Sequence, residues 1–155
     1  MRVIEELEKV SLFNELSYLQ LEAISQFCQL LSLSDGDMLI RESDRNVSDL
    51  YLLCAGSVEI VSSATAIISG EVVISKQDKD LFGEMGWLTN APRTASVRCH
   101  GSVQAIRVEG QALTKYLNNH PDVGFIIMRH IALTLSQRLQ GTDALLKQIL
   151  WNTTL

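Results

Sequence analysis

Phe82-Gly83-Glu84-Met85-Gly86-Trp87-Leu88-Thr89-Asn90-Ala91-Pro92-Arg93-Thr94-Ala95-Ser96-Val97 follows a charged loop and runs into small and β-branched residues that read as a strand. Its middle is a short apolar turn, long enough for one turn of helix. A glycine leading into a helical turn presents free backbone N–H groups, which bind anions. Arg93 follows Gly83 by ten positions and can close on the same anion with a planar fork of donors. Glu84 repels an anion and needs a donor instead, such as a sugar hydroxyl. One glycine turn, one acid and one arginine together suggest a sugar phosphate as ligand.

The surrounding chain suits one folded domain, residues 1–155. Apolar residues make up 46% and charged residues 20%, the balance of a globular protein and not of a disordered one. A net charge of −5 gives no general attraction for DNA, RNA or an anionic membrane. An anionic ligand is therefore held by local groups against the overall field. The acidic start Met1-Arg2-Val3-Ile4-Glu5-Glu6 is not a signal peptide, and no apolar run is long enough for a membrane span. Cys28, Cys54 and Cys99 are widely spaced and odd in number, which fits reduced thiols of a cytoplasmic protein.

Three regions follow from periodicity. Residues 1–30 read as a helical lead-in. Val3, Ile4, Leu7 and Val10 share one face, and Ser17-Tyr18-Leu19-Gln20 has the form of a capping box ahead of Leu21, Ile24, Phe27 and Cys28. Residues 31–109 read as short strands broken by turns: 30–33, 38–40, 49–54, 57–61, 64–68, 72–74, 95–98 and 103–108. Residues 110–155 return to helix. Pro121 is suited to a first helical position. Phe125, Ile126, Met128, Ile131, Leu135 and Leu139 mark an apolar stripe, and Gly141 interrupts it before a last helix capped at Thr142-Asp143. The fold expected is α+β, an antiparallel β-roll or jelly-roll barrel flanked by N- and C-terminal helices.

The segment 82–97 resembles the phosphate-binding cassette of cyclic-nucleotide-binding domains. That pattern runs Phe-Gly-Glu, apolar, small, Leu, a variable tip, then Pro-Arg, a small residue, Ala, a hydroxyl residue and Val. Trp87 stands where the family usually has leucine, and Ser43-Asp44 where a turn glycine is more usual. The resemblance implies a cyclic nucleotide, cAMP or cGMP, as ligand. It implies ligand contacts from Gly83, Glu84, Met85, Gly86, Arg93, Thr94 and Ala95, and wall contacts from Phe82, Ile60 and Val73. Arg93 would clamp the phosphate and Glu84 would accept from the ribose 2′-hydroxyl. Thr94 has two readings, a donor to phosphate or base and an ordinary strand threonine. Arg138-Leu139-Gln140-Gly141-Thr142 resembles the long C-helix of the catabolite-activator branch, which implies that Arg138 and Thr142 reach toward the base.

No metal cluster is expected, since His100, His120 and His130 share no ligand spacing. No nucleophile motif, Walker loop or metalloprotease helix is present, so binding is expected and turnover is not. A cofactor is not expected either. After Gly141 only 14 residues remain, too few for the helix-turn-helix of the transcriptional branch, so no DNA partner is expected. Output would pass through a homodimer built on the C-terminal helices or through an effector protein. The competing reading is a structural or interaction module of this fold that binds no nucleotide, or another small anion.

Overall fold

A computed structural model of the chain describes residues 2–44, 48–61, 74–76, 81–93 and 95–153. Helix α1 (Val3–Glu8) and a 3-10 turn (Ser11–Phe13) lead to α2 (Tyr18–Ser25). The capping box is formed: Gln20 N–H donates to Ser17 Oγ, and Ser17 N–H donates to Gln20 Oε1. The helical lead-in is shorter than residues 1–30. Strand β1 (Cys28–Leu33) already begins at Cys28, which is paired with Val108. Phe27 and Cys28 thus leave the helix, because pairing with a long strand outweighs local helical spacing.

The remaining strands are β2 (Met38–Ile40), β3 (Leu50–Val61), β4 (Ile74–Lys76), β5 (Leu81–Phe82) and β6 (Ser96–Val108). All pairs are antiparallel, in the order β1-β6-β3-β4, with β2 on β6 and β5 on β3. Among the described residues this sheet keeps two ends, so it is a roll and not a closed barrel. Two expected strand pairs are each one strand. Segments 49–54 and 57–61 join through Gly56, and 95–98 and 103–108 join through Gly101. The expected strand 64–68, and residues 72–73 of the next, lie outside the described residues.

Side-chain alternation sorts the sheet into two faces. Leu30 on β1, Leu50 and Leu52 on β3, and Ile106 and Val108 on β6 face the helices, together with Leu7, Phe13, Ile24, Leu113, Val123, Ile127 and Ile131. Leu53, Val58, Val97, Cys99, Val103 and Ala105 form a second core inside the roll with Leu39, Ile40 and Phe82. The inward residues of β6 are odd-numbered throughout. Those of β3 change from odd (Leu53) to even (Val58, Ile60), because the register slips between Leu53 and Ser57. Gly56 absorbs the slip at φ 95°, and a Cβ there would collide with the Ser102 carbonyl oxygen.

Helix α3 (Glu84–Thr89) interrupts the sheet, and α4 (Gly110–Asn119) and α5 (Pro121–Thr153) complete the fold. Gly141 does not break α5. A mid-helix glycine costs only about 1 kcal/mol relative to alanine, and Thr142 donates to the Arg138 carbonyl inside the same helix instead of capping a new one. The buried face of α5 is Val123, Ile127 and Ile131, with Ile126 and Leu135 half-buried. Phe125, Met128 and Leu139 of the expected stripe are exposed, since those residues spread around more than one face. No helix among the described residues is long and apolar enough to cross a membrane. The three cysteines are free, and burial pushes the Cys28 thiol up to about 12.

Gly56→Ala is expected to lower stability by at least about 1–2 kcal/mol, the cost of a left-handed residue before any collision is added. Urea unfolding followed by circular dichroism measures it, with Gly36→Ala as comparison: its φ is also positive, but its Cβ meets nothing.

Candidate nucleotide-binding site

Gly83 turns the chain from β5 into α3 at φ 90°, and a Cβ on it would press on the Asp49 carbonyl oxygen at 2.7 Å. Asn90, left-handed at φ 55°, ends the helix and sends the chain through Ala91 and Pro92 to Arg93. Arg93 is 6% exposed. Its Nη1 donates to the Gly83 carbonyl at 2.9 Å and its Nη2 to the Asp49 carbonyl at 2.8 Å. Its Nε is buried and has no partner among the described residues. The guanidinium lies against two glycines: a Cβ on Gly86 would stand 2.5 Å from Nη1, and one on Gly83 3.0 Å.

The Arg93 backbone is held by the turn after β2. Ser43 N–H donates to the Arg93 carbonyl at 2.8 Å, and Arg93 N–H donates to the Asp44 carbonyl at 3.1 Å. Ser43 has φ 68°, so this turn takes the conformation a glycine favours. Asp49 ties the site to the sheet and to α4. Its carboxylate accepts from Arg107 Nε at 2.8 Å and from the Gly110 N–H at 3.1 Å.

Glu84 is also buried, and its partner comes from the far end of the chain. Arg138 Nη1 on α5 donates to Glu84 Oε1 at 2.6 Å, while Arg138 Nη2 donates to the Leu81 carbonyl at 2.6 Å. The long helix is therefore pinned to the segment that carries Arg93.

These groups rim a cavity of about 570 Å³, the size of a small-molecule site. Gly83, Glu84, Met85, Gly86, Arg93 and Ala95 line it, as do Phe82, Ile60, Arg138 and Thr142. Thr94 and Val73 lie outside the described residues. The walls are mostly apolar, and the charged groups among them are Glu84, Arg93 and Arg138. That arrangement suits a flat, partly apolar ligand with an anionic end and a hydroxyl.

The family of the cyclic nucleotide-binding domain matches residues 30–120, which include the roll from Leu30 onward and α4. The chain belongs to this family. A cAMP-dependent protein kinase regulatory subunit of Mycosarcoma maydis is 29% identical over 141 residues, covering 87% of this chain and 26% of that protein. A cyclic nucleotide-binding domain from Methylobacillus flagellatus superposes with a TM-score of 0.75 at 21% identity, covering 90% of this chain and 77% of that one. The regulatory domain of Toxoplasma gondii PKA, crystallised with cAMP, superposes with a TM-score of 0.66 at 17% identity, covering 83% and 48%. Both structural likenesses concern the fold. The chain spans about a quarter of the length of the curated relatives it matches first.

In this cyclic nucleotide-binding domain the cavity has further lining residues that the sequence reading did not single out: Ile40, Thr89, Ala91, Pro92, Val97, Gly141 and Leu145. Two carried a signal. Leu145 stands three residues after Thr142, one helical turn, and Val97 stands two after Ala95, on the same face of a strand. Ile40 carried none, because only the pairing of β2 with β6 brings it opposite Val97. The unusual Trp87 turns away from the cavity toward α4, where its Nε1–H points at Thr114 Oγ1 and the Gly110 carbonyl.

Arg138→Met leaves a buried carboxylate without its partner. Such a loss costs about 1–3 kcal/mol or more. Thermal unfolding is expected to show that drop for Arg138→Met, and a partial recovery when Glu84→Gln is added to remove the orphaned charge. Equal stability of Arg138→Met and wild type would show that the pair carries nothing.

Proposed function

We propose that this domain is a sensor that binds cAMP or cGMP in the cavity and reports occupancy through α5. Arg93 carries the reading. A guanidinium is buried against two glycines in the cavity lining, its two Nη atoms donate to neutral carbonyls, and its Nε has no partner among the described residues. A cyclic phosphate supplies the negative charge those carbonyls lack, and a charge-assisted contact is the stronger one. Glu84, in the same lining, accepts from the ribose 2′-hydroxyl. Gly83, Met85 and Gly86 offer backbone contact, and Ala95 completes the phosphate side. Ile60 and Phe82 wall the ribose and base, and Thr142 approaches the base from α5. For Thr94 and Val73, outside the described residues, the roles are those that the family resemblance implies. The regulatory-subunit relatives and the PKA domain crystallised with cAMP favour cAMP of the two. The role is binding without turnover.

Because Arg138 holds Glu84, a ligand that engages Glu84 acts on the helix directly. A shift in the helix position then follows from different affinities for its two placements. Residues beyond the roll give that helix something to signal to. Leu139, Leu145, Leu146, Ile149, Leu150 and Trp151 are all exposed. Leu135, Leu139, Thr142, Leu146 and Ile149 recur at alternating intervals of four and three, the spacing of a two-helix seam. A homodimer through α5 is the assembly this favours, with an effector protein on the same face as the alternative. Thr142 belongs to both the seam and the cavity lining.

Titration calorimetry with cAMP and cGMP tests the reading beside Arg93→Ala. One nucleotide should bind at micromolar or tighter affinity, and the substitution should cost about 2–5 kcal/mol of binding free energy. No heat from folded protein free of co-purified ligand would overturn it in favour of an interaction module. Sedimentation of Leu146→Glu checks the seam, and a shift from dimer to monomer is expected.

A further inference from the structure

Helix α3 has six residues, too few to persist as an isolated helix, so its place is fixed by what its side chains reach. Met85 and Leu88 are exposed, and Glu84, Met85 and Gly86 line the cavity. Trp87 is the large side chain of α3 that packs on the helix-side core. Its indole N–H lies 2.9 Å from Thr114 Oγ1 and 3.0 Å from the Gly110 carbonyl oxygen. Thr114 gives its own hydroxyl hydrogen to that carbonyl at 3.0 Å, which leaves an oxygen lone pair for the indole. The fit is close. A Cβ on Gly110 would fall 2.9 Å from Trp87 Cδ1 and would collide with the Ser48 carbonyl. Tryptophan, threonine and glycine therefore form one joint between α3 and α4, and a leucine at position 87 has no hydrogen to give it.

We propose that the Trp87–Thr114–Gly110 joint makes α3 and α4 a single rigid body, and that Trp87 is thereby a positioning residue for the anion anchor. It sets where Gly83 and Gly86 stand, and these two glycines seat the Arg93 guanidinium. The inference deepens the nucleotide reading and rests on it only where ligand affinity is concerned. Its physical core concerns the free protein.

Two measurements test it. In the free protein, hydrogen–deuterium exchange is compared for wild type, Thr114→Val and Thr114→Ser. Loss of the hydroxyl on α4 should speed exchange across residues 84–89 on α3 by about three- to tenfold, the worth of one net hydrogen bond. Thr114→Ser, which keeps the hydroxyl, should restore the wild-type rate. Unchanged exchange in α3 would overturn the joint. In calorimetry, Trp87→Phe and Thr114→Val should each weaken binding of the tighter nucleotide by a similar about three- to tenfold factor. The double substitution should weaken it no more than Trp87→Phe alone, because that change already removes the bond Thr114 accepts. Additive losses, or unchanged affinity in Thr114→Val despite faster exchange in α3, would overturn the positioning role. If neither nucleotide binds the wild type, the reading of the cavity fails, and the positioning role with it, while exchange alone still decides the joint.

Discussion

The seat of the Arg93 guanidinium organises this structure. Burying a cation is costly unless its donors are satisfied. Two of them are, by the carbonyls of Gly83 and Asp49. To bring those carbonyls together the chain must turn left-handed at Gly83, start β3 directly after Asp49, and keep a side chain off Gly86. The Asp49 carboxylate then fixes Arg107 on β6 and the first amide of α4. Turn, sheet and helix are arranged around one planar group.

That arrangement also explains why so much of the cavity's lining was legible in the sequence. Gly83, Glu84 and Arg93 are close in sequence, and their chemistry is local: a turn, an acid, a fork of donors. The same holds for Ser17 and Gln20, whose reciprocal bonds need only one helical turn. Ile40 and the early start of β1 were not legible, because each depends on a partner strand far along the chain. The continuity of α5 escaped for another reason. Glycine is a weak helix breaker, and nothing at Gly141 supplies a stronger reason to turn.

Helix α5 has two roles that sequence periodicity blends into one. Its first half is a core helix held by Val123, Ile127 and Ile131. Its second half meets the roll through Arg138 and lines the cavity with Thr142 and Leu145. A hydrophobic stripe summed over both halves points nowhere in particular, which is why the expected stripe included the exposed Phe125 and Leu139.

The slip of β3 at Gly56 has an electrostatic result. Beyond the slip, Ile60 lines the cavity, and Glu59 stands on the outer side, held by two bonds from Arg98. Had the pairing continued in step, the outer and inner residues would trade places, and Glu59 would point into the roll, whose cavity already holds Glu84. Two carboxylates in one apolar chamber repel each other and any anion that enters. A backbone offset of one residue thus keeps one negative charge out of the chamber, with no change in amino-acid composition.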